Sequence, residues 1–264
     1  MKGVFRLTRL VGLIAVIGLA LALPQAGAIV GGTYDNDNHP NVGIVYFPDR
    51  PWFAGFCSGS LLSAHEFLTA GHCTAAFTAE GRAPDRLFVS FDDQVALTPE
   101  FVIFPAHPIA VTGWITHPEY SLHHNDVGVI HLAQDVKGVT PIELPPAGFL
   151  GQKAALGELI GHFFVDVGYG INGTDRSYTS PQANLTWDQR REVGSERFAA
   201  LNPDVLHTFG GACGGDSGGP LFYGGGHPNL AVATVSAGAI PCNGPDTNQR
   251  LDTQSVHDFL DVYR

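Results

Sequence analysis

Three residues of the types used in nucleophilic catalysis stand in short motifs far apart in the sequence. His72 lies in residues 68–73 (LTAGHC), Asp126 begins an apolar run, and Ser217 lies in residues 213–220 (CGGDSGGP). A histidine can take the proton of a hydroxyl group, a carboxylate can hold the imidazole in one orientation, and a serine oxygen can attack a carbonyl carbon. These residue types indicate acyl-transfer chemistry if the fold brings the three side chains together.

Glycines flank Ser217 on both sides, at Gly214, Gly215, Gly218 and Gly219. Glycine lets the backbone bend sharply, so this segment can present the hydroxyl and aim N–H groups at one point, which is the geometry of an oxyanion hole. The alternative is an ordinary glycine-rich turn.

The candidate base and its partner also have suitable surroundings. Cys73 follows His72 directly, and a histidine beside a half-cystine is held on a cross-linked hairpin, as a general base requires. A buried Asp126 would need a hydrogen-bonding partner, for which an imidazole is suitable. The alternatives are a histidine with an ordinary core or surface role and an aspartate that caps a strand.

Residues 1–28 have the organisation of a secretory signal peptide, with three basic residues, an apolar run at 10–23, Pro24 and a final AGA at 26–28. A membrane anchor is the alternative, but a helix needs about 20 apolar residues to span a bilayer. We therefore predict a secreted chain in which four cysteines can form two disulfides. Removal of three basic and no acidic residues changes the net charge from −11 to −14.

The composition narrows the class of protein. Of 264 residues, 44% are hydrophobic, 15% are charged and 33 are glycine, which argues against a coiled coil, a helical bundle and a disordered chain. Acidic residues outnumber basic ones by 25 to 14, so nucleic acid is not an expected partner. The length suits one large domain or two smaller ones.

The mature chain is predicted to be β-structure almost throughout, with a helix only at its C-terminus. Residues 253–263 have a helical apolar period, and Thr253 or Asp252 is the expected cap. Prolines in residues 134–152 predict a linker between two β halves. Apolar or alternating runs between turn residues predict strands at 42–47, 58–62, 67–70, 87–91, 126–132 and 230–235.

Together these motifs resemble those of the chymotrypsin-like (trypsin-fold) serine endopeptidases. The order His72, Asp126, Ser217 is the order in that family, with separations of 54 and 91 residues. Further segments similar to the family's are 114–120 (WITHPEY), 167–170 (VGYG) and 236–238 (SAG). The resemblance covers residues 29 to about 260, although residues 171–206 contain no motif of the family and are included only because they lie between matched segments.

The fold that the resemblance implies is all-β. It consists of two packed six-stranded antiparallel β-barrels with a C-terminal α-helix. After the signal peptide at 1–28, residues 29–145 would form the barrel that carries His72 and Asp126. Residues 146–264 would form the barrel that carries Ser217.

The resemblance also implies a role for each site residue. His72 would act as general base, Asp126 would fix its tautomer, and Ser217 would be the nucleophile that forms an acyl-enzyme. Backbone N–H groups of Gly215 and Ser217 would hold the oxyanion. The implied enzyme is a serine endopeptidase that needs no metal or cofactor.

Four cysteines allow three pairings, and the family's pairing is Cys57 with Cys73 and Cys213 with Cys242. The first disulfide would hold His72 in place. The second would brace the Ser217 loop and the pocket wall.

The resemblance assigns a further role to the mature N-terminus. In the family, a new Ile amino group pairs with the Asp before the catalytic Ser, here Ile29 and Asp216. The sequence leaves no propeptide between Ala28 and Ile29, so we predict that signal peptidase itself generates the active terminus. The alternative is earlier cleavage, with residues 25–28 as a short propeptide.

The residues at the predicted substrate pocket favour an uncharged site. The family's pocket floor corresponds to Gly211, followed by Ala212, where trypsin-like members carry Asp at the first position. Gly238 is expected to leave the pocket wall open, and Ser236 follows Val235, which offers no basic group. We therefore predict a preference for large apolar residues before the scissile bond, with small residues second. Residues 248–252 depart from the family's usual sequence, so the resemblance assigns no position in the pocket to the charges of Arg250 and Asp252.

Two alternative functions also fit part of the sequence. Residues 215–219 also fit the G-x-S-x-G elbow of α/β-hydrolases, with Asp252 and His257 downstream, but residues 220–226 cannot form the helix that this fold requires. The second reading is a non-catalytic protease homologue that acts as a binding protein, although such proteins usually lose one of the three catalytic residues.

A metal site at residues 123–126 is possible on paper, but adjacent histidines on a strand point to opposite faces. Asp92 and Asp93 could contact Ca²⁺, and a solvated turn is the preferred interpretation. The expected partners are polypeptide substrates and protein protease inhibitors. We expect no membrane association after signal removal, and a monomer.

Overall fold

The computed structural model describes residues 29–51, 56–171, 187–239, 242 and 244–264. The predicted signal peptide at 1–28 lies outside these residues. The strands are β1 (Thr33–Tyr34), β2 (Val42–Tyr46), β3 (Cys57–Ser63), β4 (Glu66–Thr69), β5 (Phe88–Ser90), β6 (Ala96–Leu97), β7 (Ile103–Phe104), β8 (Ile109–Thr116), β9 (Gly128–Leu132), β10 (Phe163–Gly168), β11 (Glu192–Leu201), β12 (Val205–Phe209), β13 (Pro220–Gly224), β14 (His227–Ala237) and β15 (Pro245–Arg250). The helices are α1 (Gly71–Ala79), α2 (Phe149–Ala155) and α3 (Gln254–Leu260).

Six antiparallel strands from the first half of the chain close into a barrel in the order β2-β3-β4-β9-β8-β5. Phe67 on β4 fills its interior, because two glycines on neighbouring strands leave room for the ring. A Cβ at Gly59 would lie 2.4 Å from that ring, and one at Gly43 would lie 3.0 Å from it. The size of the Phe67 ring is therefore matched to the space that Gly43 and Gly59 leave.

The second barrel is built from β10 to β15. Its strands follow the order β11-β10-β13-β14-β15-β12, and the pairing of β12 with β11 closes the ring. The short N-terminal strand β1 adds to β11 from outside, with Thr33 opposite Val193. The predicted pair of six-stranded antiparallel barrels is therefore confirmed.

The C-terminal helix is also confirmed, as α3, and its cap is Thr253, whose hydroxyl accepts the N–H of Val256 at 3.3 Å. The structure adds two helices that were not predicted. Helix α1 begins at Gly71 without a capping side chain or an acidic first turn, so its sequence carries no start signal. Helix α2 lies partly in residues 134–152, which were predicted to be a linker only.

The two barrels share a core that lies between them. Buried side chains from β2 and β9 cluster with others from β10 and α3, among them Val42, Val129, Val167 and Leu260. The motifs of both halves meet at the edge of this core. Within the described part of the chain, no helix has the length and apolar character needed to cross a membrane.

Candidate active site

His72 and Asp126 come together at the start of α1. The Nδ1 atom of His72 lies 2.9 Å from Oδ2 of Asp126, and the backbone N–H of His72 donates to Oδ1 at 2.7 Å. Gly71 permits this approach, since a Cβ there would lie 3.0 Å from backbone atoms of Val127. The carboxylate therefore holds both the ring and the backbone of the histidine.

Asp126 is ionised in this environment. Only 1% of its side chain is exposed, and burial by itself would raise its pKa. Hydrogen bonds from His72 and from the hydroxyl of Ser236, at 2.5 Å, more than offset burial and lower the pKa below its ordinary value. Asp126 therefore carries a negative charge against the imidazole at neutral pH.

One residue that supports Asp126 was missed by sequence reasoning. Gln249 on β15 is fully buried, and its Oε1 accepts the backbone N–H of Asp126 at 2.9 Å. Its Nε2 donates to the carbonyl of Asp204 at 3.0 Å. The side chain thus joins the second barrel to the loop of the first barrel that carries Asp126. Its separation of 123 residues from Asp126 leaves no local signal in the sequence.

Ser217 lies on a loop that packs against the strand leading to His72. The carbonyl of Ser217 accepts the N–H of Ser58 at 2.9 Å. The next residue, Gly218, has φ +83°, and a Cβ there would lie 2.5 Å from the backbone nitrogen of Ala70. Because Nδ1 of His72 faces Asp126, Nε2 is the ring nitrogen left to act on a hydroxyl.

The N–H groups of Gly215 and Ser217 donate to no group in the described residues. The hydroxyl of Ser58 donates to the carbonyl of Gly215 at 2.8 Å and so fixes the orientation of this peptide. Gly215 has φ +100°, and a Cβ there would lie 2.5 Å from the ring of Phe56. Glycine is therefore required at this position. The N–H groups of Gly215 and Ser217 can both donate to an oxyanion.

Both disulfides of the family's pairing are present, Cys57–Cys73 and Cys213–Cys242. The first joins β3 to α1 beside His72. The ring nitrogen of His72 and the sulfur atoms of Cys57 and Cys73 lie within 4.8 Å of one another. Because the two sulfurs are bonded to each other, they offer no thiolate to a metal.

Asp216 is fully buried beneath the loop of Ser217. Its carboxylate accepts the backbone N–H groups of Gly170, at 2.7 Å, and Cys213, at 3.0 Å. Burial raises its pKa to about 8, although these two N–H groups lower it. Ile29 is also buried, against Gly194, and is not hydrogen-bonded to Asp216. The N-terminal pair stays a prediction, because Ile29 has a free amino group only after cleavage.

The predicted pocket residues Gly211 and Gly238 both make close backbone contacts. The carbonyl of Gly211 accepts the N–H of Val30 at 2.9 Å, which ties the pocket floor to the N-terminal segment. The backbone of Gly238 lies against that of Ala212, since a Cβ there would lie 2.2 Å from the carbonyl oxygen of Ala212. Glycine is therefore required at this position, and the open pocket wall stays a prediction.

The residues that the α/β-hydrolase alternative and the possible metal sites would use make other contacts in the structure. Asp252 makes a two-pronged ion pair with Arg250, at 2.8 Å for each contact, and its Oδ2 also accepts the N–H of Leu150 in α2 at 2.7 Å. His124 pairs with Asp204 at 3.0 Å. The carboxylate of Asp92 accepts the backbone N–H of His107 at 2.9 Å and lies 2.7 Å from Nδ1 of its ring. The segment after Ser217 is the strand β13, which excludes the α/β-hydrolase elbow.

Comparison with known proteins agrees with this geometry. The model of the Trypsin family matches residues 29–260. CLIP domain-containing serine protease B10 of Anopheles gambiae is 26% identical over 225 residues, which cover 75% of this chain and 59% of the relative. Coagulation factor XII of Sus scrofa is 28% identical over 235 residues, which cover 81% of this chain and 33% of that relative. Tryptase of Mus musculus is 25% identical over 214 residues, which cover 73% of this chain and 72% of that relative. The chain thus spans less than two thirds of the first two relatives.

Solved structures show the same fold at low sequence identity. Human heparin binding protein aligns with a TM-score of 0.60 and 18% identity, over 89% of this chain and 96% of that one. The structure described as HL collagenase aligns with a TM-score of 0.62 and 18% identity, over 88% and 95%.

Proposed function

Because the chain belongs to the trypsin family, we propose that it is a secreted serine endopeptidase with His72, Asp126 and Ser217 as its catalytic triad. The observation that carries the proposal is the buried, ionised Asp126, which holds the ring and the backbone of His72 beside the Ser217 loop. A non-catalytic binding role would not require this arrangement.

The proposed reaction begins when Nε2 of His72 takes the hydroxyl proton of Ser217 as Oγ bonds to the scissile carbonyl carbon. Two N–H groups, from Gly215 and Ser217, donate to the oxyanion that forms. Each such donor contributes a factor of about 10² to 10³ in measured cases. His72 then gives the proton to the leaving amine, and the C–N bond breaks to leave an ester on Ser217. Water hydrolyses the ester with His72 again as base.

For the residue before the scissile bond we propose a preference for large apolar side chains, with small residues second. Gly211 and Ala212 provide a floor without a charged side chain of their own. Polypeptides are the proposed substrates, protein protease inhibitors are proposed partners, and the proposed active form is a monomer.

A covalent probe tests the proposed nucleophile. A fluorophosphonate should label the intact protein once, at Ser217, because the probe needs a serine activated by a base and an oxyanion hole. The measurement is mass spectrometry of the tryptic peptides. Labelling should disappear after denaturation, which removes the site but leaves every serine. Equal labelling of several serines, or none, contradicts the proposal.

A second prediction concerns the mature N-terminus. A chain that begins at Ile29 should be active, and the same chain with one alanine ahead of Ile29 should have kcat/KM at least about 100-fold lower. The reason is that only a free, protonated amine at Ile29 can pair with the buried Asp216. Loss of one partner of a buried pair typically costs about 3 to 5 kcal/mol.

The two chains can be released from a fusion by a protease that leaves no extra residue, and compared on one peptide. Sequencing of the exported protein should begin at Ile29. A start at any of residues 25–28 in an active protein rejects this prediction.

A further inference from the structure

The side chain of Gln249 reaches from the second barrel to the backbone of Asp126, and its oxygen and its NH₂ group both have partners. It is fully buried, and its Oε1 accepts the backbone N–H of Asp126 at 2.9 Å. Its Nε2 donates to the carbonyl oxygens of Asp204, at 3.0 Å, and Arg250, at 3.2 Å. The amide cannot turn over, since a reversed amide would place Nε2 against an N–H group and Oε1 against two carbonyl oxygens.

The backbone that carries Gln249 is fixed on both sides. Strand β15 lies between β14 and β12, with Gln249 opposite Thr234 on the first and Val205 on the second. The carbonyl of Asp204 also accepts the backbone N–H of Arg250 at 3.0 Å. Gln249 therefore presents its oxygen from a rigid support.

The loop that leads into Asp126 needs such a support. His123 has φ +65° and Asn125 has φ +49°, which places two residues other than glycine in the left-handed region just before Asp126. This conformation costs free energy and persists only where neighbouring contacts fix it. The position of Asp126 therefore depends on contacts made from outside its own loop.

Two contacts from the second barrel hold this loop, and they differ in burial. Nδ1 of His124 lies 3.0 Å from Oδ2 of Asp204, but these side chains are 46% and 38% exposed. An exposed ion pair contributes little, because water and salt screen it. The hydrogen bond from the N–H of Asp126 to Gln249 is fully buried, so its loss would leave a buried donor without a partner. Gln249 is therefore the stronger of the two links.

The same support leads directly to the nucleophile loop. Val235 lies on β14, the strand that pairs with Gln249. Its carbonyl accepts the N–H of Gly218 at 2.8 Å, and its N–H donates to the carbonyl of Gly219 at 2.9 Å. These two glycines directly follow Ser217. Two neighbouring strands thus connect the contact at Gln249 with the backbone of the nucleophile loop.

From these contacts we infer that Gln249 is a positioning residue of the reaction, which sets the place of His72 relative to Ser217 by holding the backbone of Asp126 against β15. The inference rests on the proposed endopeptidase function and adds to it a residue that touches neither the substrate nor the reacting atoms. The hydroxyl of Ser236 also holds Asp126 from the second barrel, but it binds the carboxylate and can rotate to follow it. Only Gln249 fixes the peptide group. Without it, Asp126 and His72 can shift together, and a misplacement of about 1 Å can cost about 100-fold in rate.

The test is Gln249→Met, which keeps the length of the side chain but offers neither a strong acceptor nor a donor. For a peptide p-nitroanilide, kcat should fall about 10- to 100-fold, while KM should change by less than about twofold, because Gln249 makes no contact with substrate. The rate constant for fluorophosphonate labelling of Ser217 should fall by the same factor. Labelling depends on the base and the nucleophile and involves no amine leaving group.

Asn41 offers a matched control, because its buried amide also joins the two halves of the chain. Its Nδ2 donates to the carbonyl of Thr140 at 3.1 Å and to Oδ1 of Asn229, on β14, at 3.2 Å. Asn41→Leu should lower the melting temperature about as much as Gln249→Met does, since each variant loses buried amide hydrogen bonds. It should nevertheless keep kcat and the labelling rate within about twofold of the natural protein.

A conservative variant tests the hydrogen bond itself. In Gln249→Glu, burial and the two facing carbonyl oxygens favour the protonated carboxyl. That group can accept the N–H of Asp126 and donate its O–H to one carbonyl, as the amide does. The kcat of Gln249→Glu should therefore exceed that of Gln249→Met by about tenfold or more.

The outcomes separate failure of this inference from failure of the proposed function. A folded Gln249→Met with natural kcat and labelling rate overturns the inference and leaves the endopeptidase function standing, as does an equal loss of kcat in Asn41→Leu. If Gln249→Met does not fold, Gln249→Ala replaces it with the same expected fall, since water can enter beside the shorter side chain and bind the freed groups. If neither folds while Asn41→Leu does, Gln249 serves stability alone and the inference is overturned. Absence of both hydrolysis and labelling in the natural protein overturns the proposed function as well.

Discussion

Ser217→Ala should lower kcat/KM for peptide hydrolysis by about 10⁶-fold, the size of effect found when the nucleophile of a serine protease is removed. Without Oγ there is no atom to form the acyl-enzyme, and the residual rate comes from the oxyanion hole and substrate binding alone. The change removes a hydroxyl that makes no hydrogen bond within the described residues, so the free energy of unfolding should change little. Rates on a p-nitroanilide and a thermal melt measure the two effects.

The matched control for this prediction is Ser121→Ala, which removes the hydroxyl of an exposed serine on the loop that leads to Asp126. It should retain nearly full activity. Activity of Ser217→Ala near that of the natural protein would falsify the assignment of the nucleophile. A melt that moves down by many degrees would instead show that Ser217 contributes to packing.

The sequence predicted both barrels, and it pointed to His72 and Asp126, which the fold brings into contact, for physical reasons. Strand segments such as Val42–Tyr46 are rich in β-branched and aromatic residues and end at turn residues, so local preference and fold agree. The glycines around Ser217 occur where the backbone needs them, since Gly215 and Gly218 both have positive φ. Such requirements leave a local trace in the sequence.

The features that were missed depend on contacts between distant strands. Gln249 acts on Asp126 across 123 residues. Asp166 lies between Val165 and Val167, a pattern that ordinarily places an aspartate in solvent, yet in a closed barrel this strand is buried on both faces at Asp166. The contact of Gly238 with Ala212 left no signal for a related reason, because a glycine can leave space or allow contact, and only the neighbouring backbone decides which.

The nucleophile loop connects these features. Asp216 stands between Gly215 and Ser217 and is held by the N–H groups of Gly170 and Cys213. The same carboxyl is the proposed partner of the Ile29 amine, and its charge acts on the buried Asp166 of β10. Cleavage before Ile29 would therefore add a positive charge beside Asp216. That charge should favour an ionised Asp216 and thus one conformation of the oxyanion loop.

Asp126→Asn should lower kcat by about 10⁴-fold at pH 7.5 with a much smaller change in KM. The carboxylate accepts three hydrogen bonds, from the backbone and ring of His72 and from Ser236. An asparagine presents one oxygen and one NH₂ group, and an NH₂ group facing Nδ1 makes that nitrogen an acceptor. The ring proton then lies on Nε2, which cannot take the proton of Ser217.

The same substitution has a second, independent consequence for stability. Because the pKa of Asp126 is lowered in the folded state, its ionised form stabilises the natural protein above the ordinary pKa of an aspartate, and this contribution is lost as pH falls through the folded pKa. Asp126→Asn lacks a titrating group, so its unfolding free energy should not show this acid loss. Asp85→Asn, on the exposed surface, should match the natural protein in both rate and acid unfolding. If Asp126→Asn keeps more than about 1% of the natural kcat, Asp126 does not set the tautomer of His72 and serves only to hold its backbone.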